Sequence, residues 1–590
     1  MPGADRAFKF AAAPARLNRA RIAFGRSRSG GIREPLAIAL GLVLALLTLV
    51  PLATLLVGSL RPDGLPSSAG WTLEHYVEVW GSAYNWRLFG NTLVFAAGST
   101  LLAIILATAL SWLLERTDLP ARNLFRAAIV MPMATPPLLL AIAWVLVLSP
   151  KIGIVSVALQ PLLGPLDRWL NIYTMGGAIF VQALAYVPTS VLMLSPAIRA
   201  LDPALEEAAL VAHANPLQVA IRVGLPMLRP ALLSVMTILL IVGMLAFDVP
   251  AVIAIPGNVD LMSIEIFRLM TPPSGFPDYG TAAAMNSVLL VLLAGGLIFY
   301  RRIIRQAARF ATISGKGYKP AKIRLGRWRG AAAAFVTLYF ALSVLLPFLA
   351  LLWASVIPYF AGFSPAMLAK VSFTAYGNLF ASDKVRDAAI NTVVVSTTAA
   401  CALLLLSLAT SWYVLRGKLR YRWMLDVLSM IPMGVPALMI GIALVFAAFS
   451  LRSVPIYGTI WLISIGHLIA FLPVASRMMQ SGLLQISGEL DEASAVAGAS
   501  ALRTFRHILL PLLGPTIVAV IIWVLVHSVR EFSIAVMLQS GHNSVVSTVL
   551  FNYWETGHPE NAAALAVLLM LLLFALVGTL SLLTRRKVEF

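Results

Sequence analysis

The sequence predicts an all-α membrane protein of about twelve transmembrane helices, laid out as two tandem six-helix halves. Three observations carry this. Of 590 residues, 60% are hydrophobic and only 12% charged, a balance that excludes a soluble globular chain. Apolar runs of the roughly 20 residues needed to cross about 30 Å of hydrocarbon recur along the whole length. The second half also repeats the first, position for position, at many places.

The chain opens with a basic arm over residues 1–34. The apolar run at 35–58 is too long for a secretory h-region and has no A-x-A cleavage site at its far end, so it reads as a retained helix. Further runs fall near 86–114, 125–148, 173–198, 226–249 and 279–300, completing a first domain over 35–300. A basic linker occupies 301–330. A second domain over 331–584 has runs near 331–356, 384–413, 424–449, 457–480, 510–530 and 561–584, and 585–590 form a tail.

The formal net charge of +19 is placed by membrane topology rather than by a nucleic-acid partner. Eight basic residues precede the first run, ten fill the linker, which has no acid, and Arg585, Arg586 and Lys587 close the chain. Such clusters beside membrane spans follow the positive-inside pattern. With an even number of spans, both termini are expected in the cytoplasm. The single cysteine, Cys401, lies in an apolar run and excludes an intrachain disulfide or Cys-based metal site.

The repeat is explicit. Asn91-Thr92 recurs as Asn391-Thr392, Ser111-Trp112 as Ser411-Trp412, and Pro132 and Pro136 as Pro432 and Pro436, each 300 residues on. Later pairs, Pro188 with Pro473 and Phe247 with Phe532, are 285 apart, because a loop around 149–173 shrinks to about 451–457. Six spans per half give both halves one orientation. The four prolines break helices in the core of each half, where irregular backbone must be buried or line a cavity. They are therefore candidate pathway residues.

The longest polar interruption of the second half is LDEASAVAGASALRTFRHILLP, 490–511. Ser487 or Asp491 can cap a short helix through Glu492 and Ala493, and Gly498 can end it in the left-handed region. A basic helix then leads to Pro511. The first half has LEEAALVAHANPLQVAIRVGLP at 205–226, with Glu207, Ala208, Ala209 and Pro226 in register, but His213 where Gly498 stands. A left-handed His costs on the order of 1 kcal/mol, so Asn215-Pro216 is expected to carry the turn two residues downstream. The alternative is that His213 takes that conformation itself.

Both stretches resemble the EAA loop, E-A-A-x3-G-x9-I-x-L-P, of the permeases of binding-protein-dependent type I ABC importers, and the resemblance covers nearly all of the chain. It implies a fused pair of permease domains (MetI-like). Glu207, Ala208, Ala209, His213 and Pro226, with Glu492, Ala493, Gly498 and Pro511, would couple to two ATPase (nucleotide-binding) subunits. ATP and Mg would sit on those subunits, and a periplasmic or extracellular substrate-binding protein would deliver the cargo. One such chain per complex, multi-pass in the bacterial cytoplasmic (inner) membrane, is implied. The linker ATISGKGYKPAKIRLGRWR and the loop TPPSGFPDYGTAAAMNS most resemble the iron(III) branch. Thiamine, 2-aminoethylphosphonate and polyamine importers are the alternatives.

No GxxxxGK[ST] loop is present, so ATP chemistry belongs elsewhere. No HExxH, CxxC or G-x-S-x-G occurs, so no catalytic residue and no metal site is expected. An ion-driven secondary transporter, the rival class, would carry acids in mid-membrane. Asp248 and Glu531, beside Phe247 and Phe532 near span ends, are candidate gate residues, with Arg530-Glu531 expected as an ion pair. His467 and His527 are expected to bond to neighbouring backbone carbonyls.

Overall fold

The structure, a computed structural model, describes residues 30–163, 171–201, 208–209, 211–213, 215–307, 323–362, 365–417, 420–451 and 454–585. Among the described residues, eight helices are long and apolar enough to cross a membrane, and four bent pairs bring the number to as many as twelve. In the first half these are α1 (Gly30–Gly58), α2 (Ala83–Arg116), α3 (Arg122–Ala134 with Pro137–Leu148), α4 (Met175–Arg199), α5 (Ala220–Met227 with Arg229–Met244) and α6 (Tyr279–Ala307). The second half has α7 (Gly326–Ser355), α8 (Asp383–Arg416), α9 (Arg422–Gly434 with Ala437–Ser450), α10 (Ile460–Leu484), α11 (Leu502–Leu512 with Gly514–Arg530) and α12 (Pro559–Arg585).

Helix ends depart from the apolar boundaries. Helix α6 runs on to Ala307 and α7 starts at Gly326, so both extend into the basic linker. Arginine can lay its stem along apolar surface while its charged end reaches water, so a helix need not stop where hydropathy does. The rest of the linker, 308–322, is outside the described residues. Where it re-enters, Ile323 forms a single bridge to Thr117, with its N–H on the Arg116 carbonyl at 2.9 Å. Asp118 then takes the Leu325 N–H at 2.8 Å and pairs with Arg329 at 3.4 Å.

The bends sit where proline dictates. Helix α3 turns by 97° and α9 by 110°. In each, a 3-10 turn (Met131–Ala134, Ile431–Gly434) ends at an extended residue before Pro136 or Pro436, because a residue preceding proline is pushed out of the helical region. The Asn-Thr pairs of the repeat do one job twice. Thr92 Oγ1 accepts the Met262 N–H and Thr392 Oγ1 the Val546 N–H, both at 2.9 Å. Asn91 and Asn391 donate to the Asp260 and Ser544 carbonyls.

The first helix of each half packs against the other half. Helix α1 lies on α9, with Ala37, Leu40 and Leu44 in one buried cluster with Leu403, Leu425 and Leu472. Gly58 comes so near Phe446 that a Cβ there would meet its ring at 2.5 Å. Reciprocally, α7 packs on the two arms of α3.

Candidate functional site: the two polar loops and the axial contact

In the second loop a short helix covers Glu489–Val496. Neither expected cap operates as such: the N-cap is Gly488, and the Ser487 hydroxyl accepts the Glu489 N–H at 3.3 Å. Asp491 instead pairs with Arg416, at the end of α8, at 3.4 Å. Arg416 also donates to the Ile486 and Leu483 carbonyls, which fixes the loop to the end of its span. Gly488 permits this, since a Cβ there would lie 2.7 Å from the guanidinium. The repeat mates Arg116 and Glu206 cannot be compared, because Glu206 is outside the described residues.

Gly498 is left-handed, with φ +79°, and the Ala499 N–H reaches back to the Ser494 carbonyl at 3.0 Å. His213 is also left-handed, at φ +63°, so the expected downstream shift of the first turn is not what happens. The reason lies in Asn215. Its side chain accepts the Gln218 N–H at 2.8 Å while Gln218 Oε1 accepts the Asn215 N–H at 3.0 Å. Asn215-Pro216 is thus committed to starting the next helix, with Pro at its first position. Both loops make one turn at one place.

A hydroxyl pair clasps the second loop: Ser494 Oγ and Thr504 Oγ1 are 2.6 Å apart and buried. The same positions in the first loop are Ala209 and Val219, the latter buried. Each loop therefore has a matched pair, polar in one and apolar in the other. Glu207 lies outside the described residues. Glu492 and Ala493 are exposed, and the Glu492 carboxylate has no hydrogen bond or ion pair among the described residues. The sequence reading missed the repeat mates Val211 and Val496, 81% and 89% exposed. Two valines pointing into water from equivalent places mark an unpartnered apolar surface. Pro226 and Pro511 sit in short turns just before bends of 65° and 70° in α5 and α11, which swing each loop away from its span.

At the other candidate site, Phe247 and Phe532 stack with ring centroids 5.8 Å apart and planes at 14°. They are repeat mates, and so are their neighbours Asp248 and Ser533, whose side chains share a hydrogen bond. Equivalent residues that touch each other lie on the axis relating the halves. Both phenylalanines are fully buried.

Around this axis the halves differ. Arg530 and Glu531, expected to pair, go to different partners. Arg530 donates to the Met133 carbonyl across the interface. That carbonyl has no helical donor available, because the residues three and four places on, Pro136 and Pro137, both lack N–H. Glu531 accepts the Ile534 N–H at 2.9 Å and faces His467 Nε2 at 3.3 Å. His467 Nδ1 lies 2.7 Å from Ser528 Oγ, so its partners are side chains. His527 behaves as expected, with Nδ1 2.8 Å from the Trp523 carbonyl. Pro132, Pro136, Pro432 and Pro436 all sit at the breaks, and Arg530 brings the first of those breaks to the axis.

A family model described as "Binding-protein-dependent transport system inner membrane component" matches the chain twice, over residues 99–309 and 404–587. The chain belongs to this family. As an inner membrane component it has curated relatives in other bacteria. The "Ferric transport system permease protein FbpB" of Actinobacillus pleuropneumoniae is 27% identical over 513 residues, covering 85% of this chain and 72% of that one. A "Putative ferric transport system permease protein FbpB 1" of Haemophilus influenzae is 26% identical over 483 residues, covering 80% and 73%. Among solved structures, a bacterial ABC transporter that imports alginate overlaps 45% of this inner membrane component and 98% of its own chain, at 17% identity and a TM-score of 0.37.

Proposed function

We propose that the chain is the membrane-spanning subunit of an ATP-driven importer that receives iron(III) from an external binding protein and passes it inward by alternating access. The observation that carries the coupling half of this reading is the pair of loops. Each has a left-handed turn leading into a helix on the end of a bent span, and each leaves an exposed valine at the same position. A short helix seated in a groove of a moving partner transmits rigid-body motion with little buried area. Two loops ask for two ATPase subunits, which hold the ATP and Mg. Iron(III) is supported by the two relatives named for ferric transport.

The axial contact is the gate of this proposal. Phe247 and Phe532 close the line between the halves, and the Asp248–Ser533 and Arg530–Met133 bonds latch it. Opening separates repeat mates from one another. With the loops on the cytoplasmic face, both termini and the linker lie there too. The test is reconstitution: proteoliposomes with the chain alone should neither hydrolyse ATP nor accumulate iron(III), and adding the ATPase subunits and binding protein should start both. Proton- or sodium-driven uptake by the chain alone would overturn the reading.

A further inference from the structure

On the face of the second half away from its polar loop, a cleft of about 310 Å³ opens between the start of α8, the short helix Thr374–Ala381 and α12. Its wall is apolar, formed chiefly by Leu379, Val385, Ala389, Leu565, Leu568 and Leu572, with Arg386 at the lip. A second hollow of about 300 Å³ shares Ala389 and continues over Ile390 and Val393 along α8. From Leu565 to Leu572 the cleft follows roughly 10 Å of helix at 1.5 Å per residue.

The first half fills this place with its own side chains. Trp80, Trp86 and Phe89 pack edge to face there, with ring centroids 5.2 to 6.3 Å apart. Three hundred residues on, the same positions are Phe380, Arg386 and Ala389. Phe380 turns outward, 78% exposed, and alanine replaces the inner phenylalanine. The repeat thus loses three packed rings at one site and replaces them with a hollow.

We propose that this cleft binds one phosphatidylethanolamine from the leaflet facing away from the coupling loops, an acyl chain lying along α12. An empty hollow forfeits dispersion contacts on every wall. Water is a poor filler, because the wall offers it almost no polar partners. A hydrocarbon chain from the surrounding bilayer is the available occupant. The lip selects the headgroup. Arg386 lies 2.9 Å from Asp383 and 3.6 Å from Asp387, and all three are exposed. One guanidinium offers donors to a phosphate, and two carboxylates accept from a primary ammonium, which a trimethylated choline cannot supply. With Lys384, exposed beside Asp383, the turn carries two acids and two bases, and a lip without net charge suits a zwitterionic headgroup better than a purely anionic one.

The experiment is a count of retained lipid by native mass spectrometry on the full chain, delipidated stepwise from nanodiscs containing phosphatidylethanolamine, phosphatidylglycerol and phosphatidylcholine. Wild type should keep one phosphatidylethanolamine after the annular lipid is gone. Arg386→Trp with Ala389→Phe, copying the first half, should lower retention at least fivefold. Should that double variant fold poorly, Ala389→Leu alone is the milder plug and should lower retention in the same direction. Asp383→Asn with Asp387→Asn should keep a lipid but lose the preference over phosphatidylcholine. Equal retention by wild type and both plugged forms, or a preference for phosphatidylglycerol, would overturn the proposal. So would a wild-type cleft that holds no lipid and is shielded only when a binding protein docks.

Discussion

Asp248 and Ser533 occupy the same position in the two halves, and they are hydrogen-bonded to each other. A repeat protein built from identical halves would place two like residues there, and two carboxylates face to face would repel by several kcal/mol. Keeping the acid on one side only lets the axis close. Ser533→Asp should therefore hold the gate ajar, seen as ATP hydrolysis by the assembled complex without binding protein. Asp248→Ser should change that basal activity by no more than about fivefold, since a neutral hydrogen bond contributes only about 1 kcal/mol. Equal basal activity in both variants would remove the gate from this axis.

Arg530 tests the same latch from another side. Arg530→Met leaves the Met133 carbonyl without its donor, and a hydrogen bond to a charged group is worth about 1.5–3 kcal/mol. The variant should melt at a lower temperature in lipid. Arg530→Lys keeps a cationic donor for that carbonyl and should recover part of that loss. No recovery would mean that the carbonyl is satisfied in another way.

The Ser494–Thr504 pair predicts a swap. Thr504→Val alone strands the Ser494 hydroxyl and should cost about 1–3 kcal/mol, Ser494→Ala should cost less because Thr504 keeps the Ser500 carbonyl, and both together reproduce the Ala209–Val219 pair and should be nearly neutral. Hydrogen exchange of the Glu489–Val496 amides gives the reading. Additive losses would mean that the two hydroxyls are not coupled.

The shared left-handed turn predicts how the two loops respond. Gly498→Ala and Gly498→His should each cost about 1 kcal/mol, and His213→Gly should return a similar amount. His213→Ala should change little, because an L-residue is left-handed there either way. Stimulated ATP hydrolysis at matched expression decides it. A His213→Gly complex that is worse than wild type would assign the imidazole a role of its own.

Sidedness can be read with thiol reagents in a Cys401→Ser background. Phe276, 97% exposed, and Ser500, exposed in the second loop, lie on opposite faces under the proposed topology. An impermeant reagent on intact cells should label Phe276→Cys and spare Ser500→Cys. The reverse pattern would invert the protein in the membrane.

Much of this was legible in the residues, and the exceptions share a cause. Helix count, the repeat and the breaks at Pro132 and Pro432 follow from local pattern, because hydropathy and proline act within a few residues. The turn at His213 was misread because its neighbour's role hides in a two-way cap between Asn215 and Gln218. Arg530 was assigned the acid beside it, while its partner is a carbonyl far off in the chain. The Pro136-Pro137 dipeptide was the available signal: it leaves the Met133 carbonyl without a helical donor, and so open to one from elsewhere. Glu531 likewise found His467, which no periodicity links to it. Contacts between spans distant in the chain leave little trace in linear spacing.

The exchange of first helices has a consequence for biogenesis. Helix α1 leaves the ribosome first, yet the surface it is shaped for, α9, does not begin until Arg422. At about 5–20 residues per second of synthesis, α1 waits on the order of tens of seconds with α6 as its partner from its own half and the α9-facing side against lipid. The first half therefore cannot finish maturing before the second exists. A truncated chain ending in the linker would leave the α9-facing side of α1 and the α7-facing side of α3 uncovered, an orphan for quality-control proteases. Joining both halves in one polypeptide ensures that the partner α1 awaits is always the next thing made.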